Sequence, residues 1–316
     1  MGSKIYFLKY METKPKLSIL IPTYNRLSFL REALESLLEE KPEDPFEIVV
    51  VDDGSRDGTW DYLEDLKTKA KNLIIARHPE NLGVSQARNT LLSLSQGEYV
   101  LFLDSDDYLL KGAVREILEA LHTGKPSYIL SVYVKKGERL KQKVFPEPSN
   151  DPLKRLKDFL EGKYADALYV FKKSLFENFR YSPQLKIRED WVFKATQMAL
   201  NPPMVIRKPL GVIRDHPQRL RREVKFYEES IILAVNILFE KLPENFKGLY
   251  PYALSKAFIE LGGKYASLGH HDKAFTNYKE ALRHWPNLKY NFKFLKKYCK
   301  SFLFSYGSRD DKKFFL

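Results

Sequence analysis

Short apolar runs and helix-periodic segments alternate through the first 122 residues, and few folds accept that order. Apolar runs at 17–21, 46–51, 73–76 and 99–103 read as strands buried on both faces. Segments 26–40, 57–70, 84–95 and 111–122 carry apolar residues at helical spacing, as Leu27, Leu30, Leu34, Leu37 and Leu38 do in the first. Strand and helix in such quick succession predict βαβ units, hence an α/β fold with a mostly parallel sheet flanked by helices. Such sheets bind ligands at the carboxyl ends of their strands. The polar clusters of this sequence follow strand ends, so they are expected to converge in space.

Beyond residue 122 the pattern loosens. Residues 127–134 and 140–145 read as a hairpin around Lys136-Gly137, 146–152 as a turn-rich linker and 191–200 as a short helix. Strands are expected at 204–206 and 211–214, and from about residue 224 the reading is all helical. The expected division is a lead segment 1–15, an α/β domain 16–222 and a helical region 223–316. Within the last, residues 255–287 place Leu261-Gly262, Tyr265, Gly269, Ala274, Tyr278, Ala281 and Pro286 as one tetratricopeptide-like unit requires. A single copy serves either as helical packing or as a peptide-binding surface.

Composition narrows the function classes. Hydrophobic residues are 44% of 316, enough for a sizeable core. No stretch reaches the ~18 apolar residues of a membrane span, and no apolar h-region suggests a secretory signal. The single cysteine, Cys299, excludes an internal disulfide or a cysteine-rich zinc site and favours a cytoplasmic location. The net charge of +12 admits nucleic acid, an anionic membrane or an anionic substrate as partner. Residues 289–316 hold eight Lys/Arg and two acids, half of that excess. No nucleic-acid motif is present, and the acidic clusters oppose phosphate binding without a metal, so nucleic acid is not expected. Between 289 and 306 lysines alternate with aromatics, and Phe292, Leu295, Cys299 and Phe302 fall on one helical stripe. The segment reads either as a helix lying on the inner face of an anionic membrane or as a capping helix packed on the tetratricopeptide-like unit.

Four clusters carry the chemistry. Leu101-Phe102-Leu103-Asp104-Ser105-Asp106-Asp107 delivers carboxylates to the exposed end of an apolar strand. Carboxylates so close repel unless a cation offsets them, and hard oxygen ligands suit Mg²⁺ or Mn²⁺. The competing reading is a solvated turn with helix-capping acids. Val51-Asp52-Asp53-Gly54-Ser55 again ends a strand in carboxylates, able to accept from a base or a ribose, or else to cap a helix. Pro22-Thr23-Tyr24-Asn25-Arg26 offers a ring for stacking, or a plain polar helix start. Asn81-Leu82-Gly83 leads into Ala87-Arg88-Asn89 at a helix start that favours anions, unless Arg88 is merely solvated.

Together, in order and spacing, these motifs resemble the family 2 glycosyltransferases, which have the GT-A fold; the resemblance covers residues 16–220, about two thirds of the chain. It implies that Thr23, Tyr24 and Asp53 hold a nucleobase, usually uracil, with Arg88 near the nucleotide. Asp104 would contact ribose or metal, and Asp106 would ligate the metal, Mn²⁺ or Mg²⁺, on the diphosphate. The family expects a general base in a Glu-Asp pair opening a helix. Here that is Glu189-Asp190, with Asp190 the base and Glu189 near the acceptor. Many relatives have Gly where this chain has Arg188. An Arg-x-His strand end often completes the metal site; Arg214-Asp215-His216 matches it, and Arg219, Arg221 and Arg222 follow as candidates to face phosphates. The implied activity is inverting, metal-dependent transfer from a UDP-sugar to a saccharide or lipid-linked acceptor. The alternative is a catalytically silent nucleotide-sugar-binding or helical interaction module.

Overall fold

Strand β2 (Leu17–Thr23) and strand β3 (Phe46–Asp52) are buried along their whole length. Unbroken Val/Ile/Leu runs form such strands because both faces of a parallel sheet are covered. The computed structural model describes residues 4–6, 14–216 and 224–306. Around β2 and β3 lie β1 (Lys4–Tyr6), β4 (Leu73–Arg77), β5 (Tyr99–Phe102) and β6 (Tyr108–Leu109). The sheet continues with β7 (Ser127–Lys136), β8 (Arg139–Lys143), β9 (Leu168–Lys172) and β10 (Met204–Arg214). Among the described residues they form one sheet in the order β1-β4-β3-β2-β5-β9-β7-β10-β6, with β8 on β7. Strands β4, β3, β2 and β5 are mutually parallel, β9 runs against both its neighbours, and β10 is again parallel to β7. Strand β10 therefore ends at the same edge as β5.

Helices α1 (Leu27–Leu38), α2 (Thr59–Lys69), α3 (Val84–Leu94) and α4 (Ala113–Leu121) connect these strands. Each buries one apolar stripe; in α1 it is Leu30, Ala33, Leu34 and Leu37. The segment between residues 146 and 190 holds more order than its sequence suggests. It contains α5 (Pro152–Leu160), β9 and a 3₁₀ turn, Lys173–Phe176. The two strands expected at 204–206 and 211–214 are one, because register shifts around Pro209 carry β10 past the interruption.

Helix α6 (Glu189–Leu200) precedes β10, and α7 (Val224–Lys241), α8 (Tyr250–Ser267), α9 (His271–His284) and α10 (Phe292–Tyr306) follow it. The described residues fall into two compact units. One is drawn from Met1–Arg155, Lys163–Gln184 and Leu200–Pro217, the other from Leu156–Gly162, Leu185–Ala199 and Gln218–Leu316. The first contains the sheet and the second is helical. In the helical unit α8 and α9 approach closely: a Cβ on Gly262 would stand 2.7 Å from the Tyr278 ring. Helix α10 buries Phe294 and Ser301, and its Tyr298 and Phe302 rings lie 5.0 and 5.2 Å from Phe275 of α9. No helix among the described residues is long and apolar enough to cross a membrane.

Candidate active site

The turn after β2 is tied to the turn after β3. Asn25 takes φ +50°, a left-handed conformation that asparagine tolerates. Its N–H donates to Ser55 Oγ at 2.8 Å, its Oδ1 accepts from Arg56 N at 2.8 Å, and Asp57 Oδ2 accepts from Leu27 N at 3.0 Å. Thr23 is buried, and its Oγ1 has no hydrogen-bond partner among the described residues. Tyr24 is 41% exposed. An unsatisfied buried hydroxyl beside an accessible ring suits a planar, hydrogen-bonding ligand.

Asp53 is almost wholly spent inside the protein. Its Oδ1 accepts from Leu82 N at 3.0 Å and meets His78 Nδ1 at 2.6 Å, while Oδ2 accepts from Gly83 N at 2.8 Å. Three of the roughly four acceptor positions of a carboxylate are thus filled. Thr90 Oγ1 lies 2.9 Å from His78 Nε2, so the chain Asp53–His78–Thr90 braces the 81–83 loop against α3. Gly54, with φ +80°, is required here because a Cβ would stand 2.7 Å from the Glu80 carbonyl carbon. Its neighbour Asp52 is fully buried, its Oδ1 accepting from Ser55 N and its Oδ2 3.4 Å from Arg77 Nε. Burial pushes its carboxyl above the ordinary range, against the opposing pull of Ser55 and Arg77.

Arg88 rises from α3 toward the strand ends with its side chain 5% exposed. Its Nη2 donates to Asp104 Oδ1 at 2.9 Å, and its guanidinium stands 5.5 Å from the Phe102 ring. Past β5, Asp104, Asp106 and Asp107 each offer a carboxylate oxygen, all within 4.8 Å of one another. Asp104 is half-exposed, whereas Asp106 and Asp107 are buried. Strand β6 pairs antiparallel with β10, which sets the acids before β6 beside the residues that end β10. Asp107 Oδ1 accepts from Arg214 N at 2.8 Å, and His216 Nε2 meets Asp106 Oδ2 at 2.7 Å. The His216 ring stacks on Phe29 at 4.9 Å, and its buried Nδ1 has no partner among the described residues. Arg26 Nη1 donates to the same Asp106 Oδ2. Three close acids joined by an imidazole form an oxygen-rich, nitrogen-completed donor set that fits a hard divalent ion.

Glu189 and Asp190 open α6 in the helical unit, where two acids favour the helix dipole. Glu189 is buried, and Asp190 Oδ2 pairs with Lys194 Nζ at 2.6 Å. Arg188, just before them, has φ +68°, the left-handed region that glycine enters freely. Its guanidinium pairs with Glu260 and lies 5.3 Å from the Trp191 ring.

Of the residues singled out from sequence, the structure joins Asp106 to His216, Arg88 to Asp104, and Asp53 to the Gly83 loop. Arg219, Arg221 and Arg222 lie outside the described residues. Sequence reasoning assigns no task to Arg26, His78 or Arg214. For His78 the available signal was its place directly after β4, at the edge where the other polar clusters stand.

The Glycosyl transferase family 2 profile matches residues 18–182. A GalNAc(5)-diNAcBac-PP-undecaprenol beta-1,3-glucosyltransferase of Campylobacter jejuni is 31% identical over 175 residues, 54% of this chain and 56% of that protein. A poly(ribitol-phosphate) beta-glucosyltransferase of Bacillus spizizenii is 31% identical over 192 residues, 56% of this chain and 28% of that protein. The chain thus spans about half, or less, of the length of these curated relatives. Among solved structures, S. aureus TarS 1-349 superposes with a TM-score of 0.64 at 22% identity, covering 93% of this chain and 92% of that one. The same portion in complex with UDP-GlcNAc gives 0.60 at 21% identity, over 88% and 91%. At these identities the likeness is one of fold.

Proposed function

The chain belongs to glycosyl transferase family 2, with the GT-A fold and a helical C-terminal region, and from that premise we propose an inverting, metal-dependent transfer of a sugar from a UDP-sugar to a hydroxyl of a glycan or lipid-linked acceptor. The observation that carries the reading is the convergence of Asp104, Asp106, Asp107 and His216 at the carboxyl edge of the sheet. Two comparisons support its direction: TarS has been solved with UDP-GlcNAc, and the C. jejuni relative acts on an undecaprenol-linked glycan.

Thr23 Oγ1 and the Tyr24 ring hold the base in this reading, and the one acceptor position left on Asp53 faces a base N–H. Arg88 fixes Asp104, whose other oxygen is left for ribose or metal. Asp106 and His216 would hold Mn²⁺ or Mg²⁺, with Asp104 and Asp107 beside them; the bound ion would offset charge gathering on the departing diphosphate. Asp190 takes the proton from the acceptor hydroxyl as its oxygen attacks the anomeric carbon. The bond from that carbon to the diphosphate oxygen breaks in the same displacement, which inverts the centre. Glu189 belongs to the acceptor side, and Arg219, Arg221 and Arg222 would face phosphates of donor or acceptor.

The domain limits proposed are 16–222 for transfer and 223–316 for the helical region, with 255–287 as its tetratricopeptide-like hairpin. Helix α10 adds a partner. Residues 289–306 hold five lysines and no acid, and Tyr290 and Phe292 are 78% and 80% exposed. That pairing of charge and bare rings fits an anionic membrane surface, reached from the cytoplasmic side.

The deciding test is calorimetric titration of UDP with Mn²⁺ and again with EDTA. Binding that needs the metal and is lost in Asp106→Ala is expected. If no nucleoside diphosphate binds with metal present, the silent-module alternative takes its place.

A further inference from the structure

Arg26 closes the loop after β2 and has no task in the mechanism above. It stands at the N-cap of α1 without making a side-chain cap bond. Its guanidinium instead reaches a carboxylate 80 residues further along the chain, donating from Nη1 to Asp106 Oδ2. The arginine side chain is 20% exposed and the aspartate 3%. The same oxygen meets His216 Nε2 at 2.7 Å. A carboxylate oxygen has two lone-pair directions, and here a guanidinium and an imidazole engage one oxygen together.

That oxygen belongs to a buried acid of the donor set, so a divalent ion held by Asp106 and the Arg26 guanidinium meet at the same carboxylate. Two cations sharing it at contact distance, largely removed from water, repel strongly. His216 can turn from partner to ligand, since an imidazole with its proton on Nδ1 offers the Nε2 lone pair to a metal. Arg26 cannot, because a guanidinium stays protonated and has no lone pair to give.

We propose that Arg26 competes with the metal for Asp106, so that the ion binds only by displacing the guanidinium, and that the displaced group gives its charge to the diphosphate of the donor. The inference rests on the metal site proposed above. Its consequence is coupling between the ligands. The ion alone must break the Arg26–Asp106 pair, and a diphosphate stabilises the state in which that pair is already broken. Each ligand therefore raises the affinity for the other by the same factor.

The experiment is a titration of Mn²⁺ into the full chain, followed by calorimetry or by the electron paramagnetic resonance of free Mn²⁺, with and without UDP. It compares wild type, Arg26→Gln and Arg26→Lys, with thermal unfolding as the check that all three fold. The Gln variant is expected to bind Mn²⁺ alone on the order of tenfold more tightly, and its gain on adding UDP to shrink by about the same factor, within the usual span of coupling between sites. The Lys variant keeps the positive charge and should fall between. Unchanged or weaker binding of Mn²⁺ alone by a folded Gln variant overturns the competition, as does an undiminished gain from UDP. Failure of the metal site itself looks different: wild-type UDP binding would then ignore Mn²⁺, and the inference would fall with it.

Discussion

Asp190 projects from the first turn of α6 with its carboxylate on the Lys194 ammonium, 2.6 Å away. Replacing it with Asn keeps the shape and removes the proposed base. We expect Asp190→Asn to lower turnover by about 10²–10⁴-fold with UDP affinity unchanged, measured by product release against calorimetry on one preparation. An Asn variant that turns over like wild type removes Asp190 from the role. At this scale the sequence is informative where chemistry and local structure coincide. Acids at the end of an apolar strand stand out in the run Leu101 to Asp107 because burial of the strand fixes where they emerge. Arg26 is opaque for the opposite reason, since its partner is 80 residues away and only the folded sheet joins them. Arg188 lies between these cases. Where relatives carry glycine the backbone here is left-handed, at a strain of roughly 1–2 kcal/mol for a residue with a Cβ, offset by the pair with Glu260 and the Trp191 contact.

Elements show the same division between local and long-range information. Strands β2, β3, β4 and β5 are legible as unbroken apolar runs, and helices α1 to α4 because each repeats the helical period over enough residues. Strand β9 is five residues placed between β5 and β7, and pairing with those two distant strands, rather than any alternation of its own, makes it a strand. Strand β10 is read as two pieces because Arg207-Lys208-Pro209 interrupts it, and a register shift repairs the break. The hairpin of α8 and α9 rests on a glycine facing an aromatic. A Cβ on Gly262 would lie 2.7 and 2.8 Å from Tyr278 ring carbons. Gly262→Val should therefore cost about 1–3 kcal/mol through overpacking, seen as a lower unfolding midpoint. Gly248→Ala, where a Cβ meets nothing within 4 Å, is the control. Equal midpoints for the two would show that the helices do not depend on this approach.

For the molecule as a whole, charge is the property that a sequence states in full and a fold only distributes. The excess of +12 gathers toward the C-terminus, and α10 sorts its aromatics onto two sides. Phe294 is buried and Tyr298 lies against α9, while Phe292 and Lys296 face outward. The helix thus packs on α9 along one side and leaves basic residues exposed on the other, and the second side is where the proposed membrane contact would lie. The chain should co-sediment with phosphatidylglycerol vesicles and stay in solution with phosphatidylcholine, and raised salt should release it. Phe292→Ser combined with Lys296→Glu and Lys300→Glu should cut the bound fraction severalfold, by the anchoring and surface attraction those groups supply. Equal sedimentation of variant and wild type would reject the surface. One detail of this helix makes the chain its own reporter. Cys299 is the only thiol in the sequence and is exposed, as Phe292 and Lys296 are. A polarity-sensitive dye coupled to it labels one position without mutagenesis, and its emission then follows the outer face of α10 through every titration of lipid, nucleotide or acceptor.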